Sequence, residues 1–192
     1  MNLDLIRNPT IKKFVEDHFV GAVKMAYLGE PVLADDDRIV TIANMKNGLY
    51  VIAAQPDVTR NLTFTHATVA VGTDTLGTLT VAGTDIDGLA ISEIVTPVAD
   101  TEVLSTKAYK TVTGITGAGW VIAGGNDTLI VGVGTRLGLP QDIANSHVYL
   151  GILGTALVVP TTYAGGTIPT STMDISSGTY NGTKSAYALI VD

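Results

Sequence analysis

The chain has 192 residues, of which 46% are hydrophobic and 15% charged, with a formal net charge of −7 and no cysteine. That size accommodates one domain, or one domain plus an appendage, around a substantial core. The acidic balance disfavours a phosphate backbone as partner, and the missing cysteine removes disulfides, thiol catalysis and Cys-based zinc.

The chain opens with its only good helix signal, predicted over about residues 9–25. Asn8 is a capping residue and Pro9 suits the first helical position. Ile11, Phe14, Val15, His18, Phe19, Ala22 and Val23 recur at helical spacing and form one apolar stripe. That stripe either packs on the protein's own core or docks on a neighbouring subunit. The segment carries Asp4, Glu16 and Asp17 and has no continuous apolar stretch, so it does not read as a secretion signal. The three Asn-x-Thr sequons, at Asn61, Asn126 and Asn181, are then accidents of a Thr-rich sequence.

Residues 1–55 read as an N-terminal arm, made of that helix and short strands at Arg38–Ala43 and Leu49–Ala54. Lys46-Asn47-Gly48 suits a turn between these strands. Asp35-Asp36-Asp37 reads as a solvated acidic turn, because no partners at metal-ligand spacing follow it.

Residues 56–192 read as an antiparallel β-sandwich or jelly-roll-like domain. Strands are predicted at Asn61–Val71, Gly77–Ala82, Leu89–Pro97, Ala108–Ile115, Trp120–Ile122, Thr128–Gly134, His147–Leu153, Ala156–Val159, Ser171–Ile175 and Ala186–Val191. Gly, Asn or Asp punctuates nearly every gap among them. In Thr128–Gly134, Leu129, Val131 and Val133 face one way and Thr128, Ile130 and Gly132 the other. Pro140–Ser146 suits a short helical turn. No βαβ alternation is present, which argues against a parallel sheet. The apolar run near Val148–Pro160 is broken by glycine and too short to span a membrane.

Candidate sites reduce to a few clusters. Asp85-Ile86-Asp87-Gly88 resembles the start of a calcium loop, but strand-like residues follow Gly88 where further oxygen ligands would be needed. It reads as a hairpin tip. The stretches GITGAGW and GVGTRLG lack the lysine of a phosphate loop and lead into no helix. His18, His66 and His147 are far apart, in no metal or nucleophile pattern. Trp120 reads as a core or interface side chain, with a sugar-stacking surface as the rival. No cofactor or metal is expected.

One block carries a resemblance. It runs GTDIDG at Gly83 to Gly88, then Ser92-Glu93 to Pro97, AYKTV at Ala108 to Val112, GNDTLIVG at Gly125 to Gly132, LGLP at Leu137 to Pro140, and the closing YNGTKSAYALIVD. This order resembles small virion structural proteins of tailed bacteriophages, over roughly Asp57 to the end. Within that group it is similar to capsid decoration, or cement, proteins. The resemblance implies a homotrimer on the capsid surface that binds the major capsid protein and stabilises the shell, with no nucleic-acid or membrane partner. Ile11, Phe14, Val15 and Phe19 of the helix stripe, with Leu150, Ile152 and Leu153, are the candidate partner interface. One rival is a tail-associated or carbohydrate-binding module stacking sugars on Trp120, Tyr163, Tyr180 and Tyr187. Another is a hydrolase using Asp85, Asp87 and Glu93.

Overall fold

A computed structural model describes residues 9, 13, 23–69, 74–143, 148–160, 162–164 and 166–191. Its strands are β1 (Val23–Gly29), β2 (Asp35–Asn44), β3 (Gly48–Leu49), β4 (Arg60–Ala67), β5 (Thr78–Thr84), β6 (Ala90–Val95) and β7 (Glu102–Tyr109). They continue with β8 (Thr111–Ala118), β9 (Thr128–Gly138), β10 (Val148–Leu153), β11 (Ala156–Val158), β12 (Thr162–Ala164), β13 (Thr172–Asp174) and β14 (Ala186–Val191). The protein is mainly β, and its paired strands run antiparallel. Among the described residues no helix is long and apolar enough to cross a membrane.

Among the described residues, three open sheets form. The central one has the order β12-β13-β9-β4-β7, with β2 also paired to β9. The second has the order β3-β8-β5-β6 and the third β1-β14-β10-β11. The long strand β9 explains how they combine. Its alternation turns Leu129, Val131 and Val133 into a core with Leu62 and Phe64 of β4 and Leu79, Val81 and Ile115 of the second sheet. Further along, Leu137 enters a separate core with Met173 of β13, Leu153 of β10 and Ala188 and Ile190 of β14. Phe64, Leu129 and Leu137 are each 0% exposed. Burying each such side chain contributes about 1.5–3 kcal/mol.

The expected fold class holds at the level of antiparallel β, and several boundaries move. Of the helix at 9–25, Pro9 and Lys13 are helical, Val23–Met25 belong to β1, and the remaining positions through Ala22 lie outside the described residues. Residues 23–55 are no separate arm: β1 pairs with the final strand β14, and β2 pairs with β9. The β-branched and aromatic side chains of β1 suit a pleated neighbour as well as they suit a helical stripe. Asp35–Asp37 form the start of β2 instead of a turn, with Asp36 and Asp37 exposed.

Lys46–Gly48 bends the chain from the central sheet into the second, since β2 and β3 have different partners. The predicted strand Leu49–Ala54 shrinks to Gly48–Leu49. Beyond it, the Gln55 side chain donates to the Val112 carbonyl at 3.0 Å and accepts from the Val112 N–H at 2.7 Å, standing in for a backbone rung. Ala108–Ile115 spans two strands, because the chain changes sheet at Lys110 between β7 and β8. Trp120–Ile122 contributes only an isolated bridge, Val121 to Thr75. In Pro140–Ser146, Pro140 and Gln141 bend and Ile143 bridges Gly166, while Ala144–Ser146 lie outside the described residues.

Candidate functional site: turns, a buried histidine and an uncharged sheet face

The acidic tip is a turn. β5 and β6 pair from Leu79↔Val95 to Thr84↔Ala90, and Asp85-Ile86-Asp87-Gly88 closes the hairpin. Asp85 is 3% exposed, and its Oδ1 accepts the N–H of Asp87 at 3.0 Å and of Leu89 at 2.9 Å. Gly88 takes φ +83°, a left-handed geometry that a side chain would strain. Asp85 therefore satisfies backbone donors of its own loop. Among the described residues no group of three or more acids, histidines or cysteines is placed to hold a metal.

Glu93 of the hydrolase set is likewise engaged, whereas Asp87 is exposed at the tip. Glu93 Oε1 accepts the Thr106 N–H at 2.8 Å and the Thr106 hydroxyl at 2.9 Å, and Oε2 accepts the Lys107 N–H at 3.2 Å. This carboxylate ties edge strand β6 to β7. It does not converge with Asp85 on a substrate-sized space, because Glu93 pairs with Val81, well down the hairpin from the tip.

One polar cluster is invisible to local sequence patterns. His66, near the end of β4 and 1% exposed, sits with Nε2 3.1 Å from Asp127 Oδ2. Its Nδ1 accepts the Asp100 N–H at 3.2 Å, so that nitrogen is unprotonated and Nε2 carries the proton toward Asp127. Asp127 Oδ1 accepts the Val69 N–H at 2.9 Å. Asp74 accepts the Ala123 N–H at 2.7 Å and the Asp127 N–H at 3.3 Å. The Ala123 N–H holds the Asp74 carboxyl below its ordinary pKa, outweighing burial, with the Asp127 and Gly124 N–H groups adding to it. The Asp100 carboxyl is lowered chiefly by the Thr68 N–H and hydroxyl. A His–Asp pair suggests acid–base chemistry, but both ring nitrogens already have partners. The cluster ties Thr68, Val69 and Asp74 to the loops at 98–101 and 123–127. Its members come from four separate stretches of chain, so no local spacing could have shown it.

The proposed stacking residues do not assemble. Trp120 is 4% exposed and belongs to the first core. The Asn47 side-chain amide fixes its backbone, accepting the Trp120 N–H at 3.0 Å and donating to its carbonyl at 3.1 Å. Tyr180 is buried in the other core. Tyr187 is half-buried against Tyr27, with ring centroids 5.3 Å apart. The Tyr163 side chain lies outside the described residues.

Of the candidate interface residues, Ile11, Phe14, Val15 and Phe19 lie outside the described residues. Leu150 is half-buried, whereas Ile152 and Leu153 are 4% and 2% exposed. The chain's own packing takes those two side chains, Leu153 in the second core, so they offer no contact surface.

A different surface stands out. Residues 47–56, 75–84 and 111–126 contain no Asp, Glu, Lys or Arg, and they supply β3, β5 and β8 of one sheet. Alternation sends Leu79, Val81 and Ile115 into the core and the intervening side chains outward. Across the outer face, Leu49, Thr116, Thr80 and Ile94 form one cross-strand row. Gly114, Ala82 and Ser92 form the next. Leu49 and Ile94 are 68% and 69% exposed. No outward side chain on these four strands is charged. The acids Asp85 and Asp87 lie beyond them at the hairpin tip.

No protein-family model, curated protein or solved structure matches this chain.

Proposed function

We propose that this chain is a structural protein of a bacteriophage virion, a capsid decoration protein of β-sandwich type that binds the major capsid protein lattice and stabilises the shell. The observation that carries the reading is the uncharged outer face of the β3-β8-β5-β6 sheet. In a chain of net charge −7, an exposed face free of ionised groups is the surface that loses least on leaving water. The polar clusters support the same view. Asp85, Glu93, His66 and Asp127 are engaged in closing turns and joining strands. The block that resembles virion proteins supplies the hairpin tip, β6, the β7–β8 junction and β9, and β9 enters both cores.

Such a protein acts by burying surface across lattice junctions, which raises the free energy needed to open the shell. Its location is then the outside of the virion, after synthesis in the host cytoplasm. Purified protein added to shells that lack it is expected to bind and raise their melting temperature. Shells that bind none, or melt at the same temperature with it as without it, would overturn the role.

A further inference from the structure

We infer that the outer face of the β1-β14-β10-β11 sheet is a docking surface for a segment of this same chain, residues 9–22, whose apolar stripe closes over it. The inference goes beyond the shell-binding reading and concerns a different sheet. Alternation in β14 turns Ala186, Ala188 and Ile190 into the second core, so Tyr187 and Leu189 point the opposite way. Cross-strand pairing places Met25 and Leu150 beside Leu189, and Tyr27 and Ile152 beside Tyr187. All six are apolar or aromatic, and none belongs to either core.

The burial of these side chains does not fit an open face. Leu189 is 0% exposed and Ile152 4%. Neighbours on the same sheet shield the flanks of a side chain but leave its tip open, so exposure this low requires a second layer. The layer is uneven. Met25 is half-buried, whereas Tyr27, farther along β1 from Val23, is 56% exposed. The layer therefore lies toward the end of the sheet where β1 begins, and the chain that leads into β1 there is residues 9–22.

That segment fits in composition, length and reach. Ile11, Phe14, Val15 and Phe19 recur at helical spacing, and its described positions, Pro9 and Lys13, are helical. At about 1.5 Å per residue a helix over 9–20 runs about 18 Å, and four strands about 4.8 Å apart span about 19 Å. Gly21 and Ala22 alone separate it from β1. So short a link raises the effective concentration of the stripe at its own sheet to roughly millimolar or above, which favours this occupant over the same segment of another copy. Ile11, Phe14, Val15 and Phe19 are then a cover within one chain and not a contact for the shell.

The chain has no cysteine, so single introduced thiols report on this cover in the intact protein. Labelling by N-ethylmaleimide is expected to be about 100-fold slower for Ile152→Cys than for Leu49→Cys, at a 68% exposed position on another sheet. Phe14→Asp together with Phe19→Asp is expected to speed labelling of Ile152→Cys by about tenfold or more. Ala188→Cys, at a 0% exposed position in the second core, is expected to stay slow. Lys13→Ala, off the stripe and exposed, is expected to change neither rate. If the double substitution prevents folding, Phe14→Ala alone gives the same reading. Four results would each overturn the proposal: Ile152→Cys as reactive as Leu49→Cys, no acceleration by the stripe substitutions, equal acceleration at Ala188→Cys, or a rate that rises on dilution. The last would place the cover on another copy. None of these outcomes involves a shell, so a failure here is separate from a failure of shell stabilisation.

Discussion

The Arg60 guanidinium, 0% exposed, lies with Nη1 2.9 Å from Asp57 Oδ1, three residues earlier in the chain and 11% exposed. Arg60 also donates to the Gly134 carbonyl of β9 at 2.7 Å and the Val32 carbonyl at 3.1 Å. It stands 5.8 Å from the centre of the Tyr180 ring. Asp57 in turn accepts the Val32 N–H at 2.8 Å. One ion pair thus joins the start of β4, the loop before β2, the middle of β9 and the C-terminal segment.

Removing either partner costs stability, but unequally. Asp57→Ala leaves a guanidinium in the interior without its counter-charge, a loss of about 3–5 kcal/mol. Arg60→Met leaves Asp57 bonded to the Val32 N–H and partly open to water, and fills much of the vacated volume. Denaturant unfolding is expected to rank Asp57→Ala as clearly the more damaging. The reverse ranking would mean that the carbonyl contacts of Arg60, not the charge pairing, dominate.

Tyr109 and Tyr180 are both buried, at 0% and 1% exposure, yet differ in what their hydroxyls meet. The Tyr180 hydroxyl donates to the Thr135 carbonyl at 2.9 Å and accepts the Ile175 N–H at 3.2 Å. The Tyr109 hydroxyl has no hydrogen-bond partner among the described residues. Tyr180→Phe is expected to cost about 1–2 kcal/mol, and Tyr109→Phe to be neutral or stabilising, near pH 7. Burial, the largest cause, pushes both hydroxyls up from the ordinary value of 10.0. A group raised on folding contributes stability that is complete below its unfolded pKa and is lost as pH rises toward its folded one. Stability should therefore fall above about pH 10, and each Phe substitution should shallow that fall. An alkaline limb identical in wild type and both variants would refute the assignment.

The hairpin tip offers a check on the calcium alternative. Asp85→Ala removes the acceptor for two backbone N–H groups and is expected to cost about 1–3 kcal/mol in thermal or denaturant unfolding. Millimolar calcium is expected to leave the wild-type melting temperature where it was. A calcium-dependent rise that Asp85→Ala abolishes would restore the ion-binding interpretation.

Local patterns carried much of the β architecture. The alternation of Leu129, Val131 and Val133 correctly identifies the core face of β9, and Asp85–Gly88 is readable as a turn from its own residues. Three strands escaped: β12 has only three residues, too few to show a period, and β7 and β1 have reasons of their own. β7 is an edge strand with exposed Glu102, Leu104 and Thr106, so its pattern lacks a clean apolar alternation. β1 has a mixed pattern compatible with a helix until its pairing to β14 is known. The His66 cluster and the Arg60–Asp57 bridge depend on which loops meet in space. The uncharged face was present in the sequence as three windows without Asp, Glu, Lys or Arg, but only strand order shows that they are neighbours.

The pairing of β1 with β14 has a consequence for how the protein comes into being. A ribosome adding about 5–20 residues per second exposes Val23–Gly29 long before it makes Ala186–Val191, the strand that completes their ladder. During that wait the third sheet cannot close, and the nascent chain carries an unmatched hydrogen-bonding edge. Maturation of the second core thereby waits on the synthesis of β14.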